Sequence, residues 1–208
     1  MAIKAILFNT EMVRAILEGR KSCARRIVKP QQLIGMLPDK CKNGAPEKFL
    51  KEKKLMFKPY CDMTDIELIN TAYKAPYQPG DILYVRETWK KAPNGYYYYE
   101  DWQRNDIADV TKWKPSIRMP KEAARIWLKV TDVRVERLQE VSAESALAEG
   151  ADKYIHTNGG LDENMTITSF IGIWNSTIKK SDLDSYGWSA NPWVWVIEFE
   201  RCEKPEGV

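Results

Sequence analysis

The chain has 208 residues, which is enough for one well-buried core, so we expect a single domain over residues 1–208. It carries 32 Lys and Arg against 29 Asp and Glu, and the formal net charge of +3 selects neither a nucleic acid nor a small molecule as partner. Eight tryptophans and ten tyrosines exceed what such a core needs, which leaves rings for a ligand wall or a stacking surface.

Composition argues against a membrane, metal or cofactor protein. No apolar run approaches the ~20 residues of a membrane-spanning helix, and "MAIKAILFNT" lacks the apolar centre of a signal peptide. The sequence contains no GxGxxG or Walker-type phosphate loop. Four cysteines without Cys-x-x-Cys spacing favour free thiols over a zinc site: Cys23, Cys41, Cys61 and Cys202. We therefore expect a cytoplasmic protein with no membrane partner, no metal and no cofactor, and the sequence fixes no oligomeric state.

The first elements in chain order are a strand and a helix. Residues 3–8 predict the strand, and Asn9 or Thr10 is suited to cap the amphipathic helix that follows. Gly19 is placed to end that helix. The stretch 16–26 is accordingly predicted to be the end of the helix and the loop after it.

A lysine-rich segment, 31–76, interrupts this pattern and predicts an insertion within the domain, with helical spacing only over 64–73. A Pro-Gly turn then precedes a strand over 81–85, which is apolar on both faces and therefore buried on both. Residues 95–99 predict a hairpin strand. The clearest strand pattern is 125–138, whose phase slips at Thr131-Asp132 and indicates a bulge or bend.

The last elements are two helices and a strand. Ser142 and Gly150 bracket a short helix, a second helix is predicted over 166–178, and 191–201 alternates as a closing strand. This order has no repeated strand–helix–strand rhythm. It predicts an α+β domain built around a small, bent, mainly antiparallel sheet or barrel with flanking helices.

Three cations follow the first helix: Lys21, Arg25 and Arg26. They are interpreted either as solvated charges that complement the helix dipole, worth ~0.3–1 kcal/mol each, or as an anion-binding cleft together with Arg86, which follows the buried strand.

Two acidic residues and one ring are further candidates. Glu149 ends a short helix, where the dipole disfavours an anion, so it is either exposed or compensated by a lysine. Glu87 and Trp89 follow the buried strand. Either both line the opening of the same anion-binding cleft, or Glu87 forms a structural salt bridge with an arginine.

The segment "GRKSCARR" resembles the G-x-K-x-x-T-x-R signature of ASCH domains, a branch of the PUA-like β-barrel superfamily associated with RNA and modified nucleosides. Gly19, Lys21 and Arg26 match, and Ala24 stands at the threonine position. The blocks "PGDILYVRETW", "KPSIRMPKEAARIWLKVTDVRVERLQ" and "GWSANPWVWVIEFER" are similar to those of the longer ASCH proteins often carried by prophages. The resemblance implies a PUA-like, mainly antiparallel barrel.

Some small members of that family are amidohydrolases that remove the acyl group from N(4)-acetylcytidine with a lysine, a threonine and a glutamate. The match of "SAESALAEG" puts Glu149 at the glutamate position. The resemblance thus implies Lys21 as the base, Ala24 at the nucleophile position and Glu149 as the residue that orients the lysine. The remaining substrate contacts are then Arg25, Arg26, Arg86, Glu87 and Trp89.

Alanine cannot form an acyl-enzyme, so Ala24 leaves three explanations: natural loss that leaves a binding module, a deliberate inactivating substitution, or replacement by Ser22 or Cys23. Three functions follow. The first is an ASCH-type amidohydrolase for an N(4)-acylated cytidine-like nucleoside, disabled at residue 24. The second is a non-catalytic RNA or DNA binder that also uses the lysines of 40–58. The third is a ribonuclease, ranked last because the chain has one histidine and no obvious acidic metal cluster.

Overall fold

The computed structural model describes residues 1–29, 64–104 and 112–207. The strands of this part of the chain are β1 Ile3–Leu7, β2 Cys23–Ile27, β3 Ile82–Arg86, β4 Trp89–Ala92, β5 Gly95–Tyr98, β6 Trp127–Arg137 and β7 Trp193–Cys202. Its helices are α1 Thr10–Leu17, α2 Asp65–Ala72, α3 Tyr99–Arg104, α4 Ala143–Ala148, α5 Glu163–Thr177 and α6 Leu183–Tyr186.

Five strands form one sheet in the order β1-β3-β6-β7-β2, and β4 and β5 form a separate hairpin. β1 pairs with β3 in parallel, and the other pairs of the sheet are antiparallel. The predicted α+β class with a mainly antiparallel sheet is therefore confirmed. The barrel is not, because among the described strands β1 and β2 stay unpaired edges. A side chain bridges these edges instead, since Nη2 of Arg26 donates to the Leu7 carbonyl at 3.2 Å.

The predicted bend in the long strand is present. The register of β6 on β7 shifts between Val130 and Asp132, and pairing continues on both sides of the shift. The main core lies on one face of the sheet and contains Ile6, Leu83 and Ile197, each almost inaccessible to solvent. The helix α5 covers the other face, where Phe170 packs with Val194 and Val196.

Most of the helices and strands predicted from the sequence are present in the structure, but they begin or end at different residues. The side chain of Asn9 caps α1 by accepting from the Met12 amide at 2.8 Å, and Gly19 follows the helix with φ +75°. Ser142 caps α4 in the same way. The helix predicted over 166–178 begins earlier, at Glu163, because Asp162 supplies its cap.

The loop predicted over 20–26 is wrong from Cys23 onward. Residues Cys23–Ile27 form an edge strand, in which Arg25 pairs with Val196 of β7. The sequence "CARRI" shows no alternation of apolar and polar residues because both of its faces are covered. Ala24 packs into the main core, while the buried Arg25 meets carboxylates on the opposite face.

The predicted insertion is described only over residues 64–76. A capping box between Thr64 and Glu67 starts α2 there, and Ile69 of this helix is fully buried in the main core. Residues 31–63, with Cys41 and Cys61, lie outside the described residues. Within the described ranges no helix is both long and apolar enough to span a bilayer.

Candidate functional site

The loop between α1 and β2 carries Lys21 into the protein interior. The amide of Lys21 donates to the Ala15 carbonyl at 3.0 Å, which keeps the loop against the end of α1. The amide of Ser22 donates to the Ala148 carbonyl at 2.8 Å, so the same loop is tied to the end of α4. This double attachment brings the C-terminal ends of α1 and α4 together, although α1 and α4 are far apart in sequence.

The side chain of Lys21 is 1% exposed. Its Nζ donates to the carbonyls of Cys23 at 2.7 Å and Glu149 at 2.8 Å, and lies 5.3 Å from the centre of the Phe8 ring. The nearby carboxylate oxygen Oε2 of Glu149 is 3.9 Å from Nζ. Burial lowers the pKa of Lys21 to about 8, and the charge of Glu149 opposes that fall.

These contacts suit a lysine that gives up its proton. A neutral amine has two N–H donors and one lone pair, and the two carbonyls of Cys23 and Glu149 match the two donors. Deprotonation therefore breaks neither hydrogen bond. With a pKa of about 8, about one tenth of Lys21 is neutral at pH 7.

Glu149 caps the C-terminal end of α4, where its charge opposes the helix dipole. Nη1 of Arg25 donates to its Oε1, and the Arg25 amide donates to its Oε2 at 3.2 Å. Nη2 of Arg25 donates to Ser145 Oγ at 2.9 Å and to Glu136 Oε2 at 3.2 Å. Arg25 thus fixes the carboxylate beside Lys21. Glu149 is therefore buried rather than exposed, and its nearest ion-pair partner is Arg25 and not the predicted lysine, which lies 3.9 Å away.

Residue 24 has no reactive group, and its neighbours do not replace it. Ala24 is 1% exposed and packs in the core. Burial and the charge of Glu149 raise the pKa of the Cys23 thiol to about 12, so this thiol stays protonated and weakly nucleophilic. Ser22 is exposed to solvent. The structure thus disfavours Cys23 as a substitute nucleophile.

A cavity of about 390 Å³ adjoins this cluster. The charged residues that line it are Lys21, Arg25, Arg26 and Glu149, and its aromatic residues are Phe8, Tyr77, Phe170 and Trp174. Arg26 donates to the carbonyls of Arg25 at 3.0 Å and Leu7 at 3.2 Å, and burial lowers its pKa. The volume lies within the range typical of small-molecule pockets.

The other predicted contacts lie away from this cavity. Arg86 donates to the Ile117 carbonyl at 3.3 Å and to the Tyr84 hydroxyl at 3.1 Å. Trp89 is buried within the hairpin, with its ring 5.7 Å from that of Tyr96. Neither side chain lines the cavity.

Glu87 does not line the cavity either. It is buried and accepts two hydrogen bonds of 2.9 Å from Arg125, which is the structural salt bridge of the second interpretation. Desolvation raises the pKa of Glu87, whereas the pairing with Arg125 opposes that rise. Arg125 also holds Asp101 of α3, so this network fastens the hairpin region to the sheet.

Sequence reasoning missed the aromatic walls of the cavity. Phe170 and Trp174 lie on the apolar face of α5, and that spacing alone predicts only core packing. Phe8 ends the first predicted strand, and Tyr77 follows α2 in a segment without a pattern. In the described ranges, no group of three or more His, Cys, Asp or Glu side chains is arranged to hold a metal ion.

No protein-family model matches the sequence, and no curated protein matches it. Among solved structures, the chain is similar to an ASCH domain from Lactobacillus crispatus JV V101. The two are 10% identical, the match covers 96% of this chain and 79% of that chain, and the TM-score is 0.44. This is a likeness in the course of the backbone, and it identifies no activity.

Proposed function

We propose that the chain is an ASCH-type domain whose cavity binds a nucleobase or nucleoside derivative, free or within RNA. Its unsubstituted chemistry would be hydrolysis of the amide of an N(4)-acylated cytidine-like nucleoside. The observation that carries this proposal is the meeting of Lys21 and Glu149, which are 128 residues apart, beside a cavity with aromatic walls. The motif around Gly19, Lys21 and Arg26 supports the same assignment.

The proposed chemistry needs a hydroxyl at position 24. Ala24 is buried and does not line the cavity, so the scheme requires that a hydroxyl placed there reach the ligand through the cavity wall. A threonine oxygen would then attack the acyl carbon while neutral Lys21 takes its proton, and the cytosine amine would leave with a proton. Water would hydrolyse the resulting ester. In this scheme the main-chain carbonyl of Glu149 holds Nζ of Lys21, and Arg25 holds the Glu149 carboxylate 3.9 Å from Nζ. With Ala24 the first bond cannot form, so we propose that this chain binds such a ligand without cleaving it.

Restoring the hydroxyl tests the proposal. Ala24→Thr should release acetate and cytidine from N(4)-acetylcytidine, and the unaltered chain should bind that nucleoside without turnover. Ala24→Val, which has the shape of threonine without the hydroxyl, is the matched control. Ala24→Thr combined with Lys21→Met should be inactive. Lack of turnover by Ala24→Thr, together with no calorimetric binding by the unaltered chain, would refute the proposal.

A second candidate is a non-catalytic RNA or DNA binder, and the surface of the β4–β5 hairpin favours it. Nζ of Lys90 lies 4.4 Å from the ring centre of Trp102 and 4.7 Å from that of Trp113. Nζ of Lys114 lies 4.9 Å from the ring centre of Trp89. The rings of Trp102 and Trp113 are partly exposed, and partly exposed rings beside a lysine suit base stacking and phosphate contacts, whereas the Trp89 ring is buried.

Salt dependence separates the two candidates. A single-strand binder should lose affinity on a log-log plot with a slope of about −0.7 per neutralised phosphate. Substituting Lys90 and Lys114 together by Gln should flatten that slope. A response to salt that is already flat in the unaltered chain would count against this second candidate.

A further inference from the structure

We propose that the ligand of the Lys21 cavity carries an anionic group, a phosphate or a carboxylate, and that Arg26 holds it. The inference rests on the proposed function, because it specifies the charge of the ligand in that same cavity. Among the described residues, the cavity is lined by three cations, Lys21, Arg25 and Arg26, and by one carboxylate, that of Glu149. Positive charge is therefore in excess among these lining residues whether Lys21 is protonated or neutral.

The excess is located at Arg26. Glu149 and Glu136 compensate Arg25, and Glu149 also lies 3.9 Å from Lys21. By contrast, within the part of the chain that the structure describes, Arg26 forms no ion pair. Its two hydrogen bonds go to main-chain carbonyls, which are neutral acceptors.

The geometry of Arg26 leaves it able to bind a ligand. A guanidinium has five N–H donors in a planar fork that fits phosphate and carboxylate, and the two hydrogen bonds to carbonyls occupy two of them. The side chain lies half-buried between the two sheet edges, 5.5 Å from the Phe8 ring, where charge is screened less than at an open surface.

Two further observations on the same cavity favour an anion. Nε of Arg25 is buried and has no hydrogen-bond partner among the described residues, in a side chain that lines the cavity. The N-terminal end of α1, with Asn9 and Met12, lines it too and adds the positive end of a helix dipole. One acidic side chain, Glu11, lies in that first turn and opposes this contribution.

Calorimetric titration of the full chain with three ligands tests the inference: cytidine, cytidine 5′-monophosphate and a 5-carboxy pyrimidine nucleoside. Each charged ligand that Arg26 holds should bind at least about tenfold more tightly than cytidine, as one charge-assisted contact provides. Arg26→Gln should abolish that preference, so that the charged ligands bind no more tightly than cytidine. The matched control is Lys29→Gln, because this exposed lysine lies 5.0 Å from the Tyr186 ring and does not line the cavity.

The outcomes separate this inference from the proposed function. If all three ligands bind equally, the anion contact is refuted while nucleoside binding stands. If inorganic phosphate binds in an Arg26-dependent manner and no nucleoside binds, the anion site stands and the nucleoside function is refuted. If no ligand binds, both are refuted. If Arg26→Gln does not fold, Arg26→Lys takes its place. This variant should keep part of the preference for charged ligands over cytidine. Full retention or complete loss of that preference would refute the role of the arginine fork.

Discussion

Replacement of Lys21 by methionine should change how stability depends on pH. Methionine keeps the length of the side chain and removes the charge. Below pH 8 the folded and unfolded states both hold the Lys21 proton, and between about pH 8 and 10.5 only the unfolded state does. Because the unfolded state then binds more protons, the free energy of unfolding contributed by Lys21 rises with pH across that window.

The size of the effect follows from the fall in the pKa of Lys21 from 10.5 to about 8. At 1.36 kcal/mol per pKa unit this corresponds to about 3 kcal/mol. The raised pKa of Cys23 makes the free energy of unfolding fall as the pH rises above 9, the ordinary pKa of the thiol. Cys23 is present in both proteins, so its contribution largely cancels in the difference between them.

Urea denaturation of the unaltered chain and of Lys21→Met, measured at intervals from pH 7 to 10.5, gives the required difference. The unaltered chain should gain about 3 kcal/mol relative to the variant over this range. Lys29→Met, a substitution at an exposed lysine, should show no such gain. If the difference in free energy of unfolding between the unaltered chain and Lys21→Met stays constant with pH, the lowered pKa of Lys21, on which its proposed role as a base depends, is refuted.

Three further predictions follow from the buried charges and the thiol. Glu149→Gln should lower the free energy of unfolding by about 3 kcal/mol, because Arg25 loses its buried partner; an unchanged urea midpoint would contradict this. Glu87→Gln should destabilise by about 2 kcal/mol through Arg125 and leave ligand affinity within about twofold, as calorimetry can show. Cys23 should resist a thiol reagent at pH 8 in the native protein and react in urea, which peptide mapping by mass spectrometry detects.

Elements with a periodic pattern could be predicted from the sequence, and β2 could not. The bulge in β6 follows from a phase slip at Thr131-Asp132, and the caps of α1 and α4 follow from Asn9 and Ser142. β2 has two consecutive arginines where alternation would be expected. Its stability comes from pairing with β7 and from the carboxylates around Arg25, and these are tertiary contacts that a local pattern does not encode.

The residues of the candidate site could also be predicted only in part. Lys21 and Glu149 come together as the motif resemblance implies, while their roles stay a prediction. The sequence also predicts Arg86, Glu87 and Trp89 at the site because they follow a buried strand, but the direction of a side chain at a strand end depends on its partners. For Glu87 that partner is Arg125, 38 residues later in the chain.

The contacts of Lys21 give this buried lysine a structural role that does not depend on the proposed chemistry. Its Nζ satisfies the carbonyls of Cys23 and Glu149, and so joins the start of β2 to the end of α4 whether or not any reaction occurs. The burial of this lysine is therefore compatible with a binding module as well as with a hydrolase. The distinction lies at residue 24, where a hydroxyl would give the neutral lysine a proton to take and a methyl group gives it none. Under the proposed chemistry, Ala24, which is buried in the main core, is the position that decides whether a bound ligand can be cleaved.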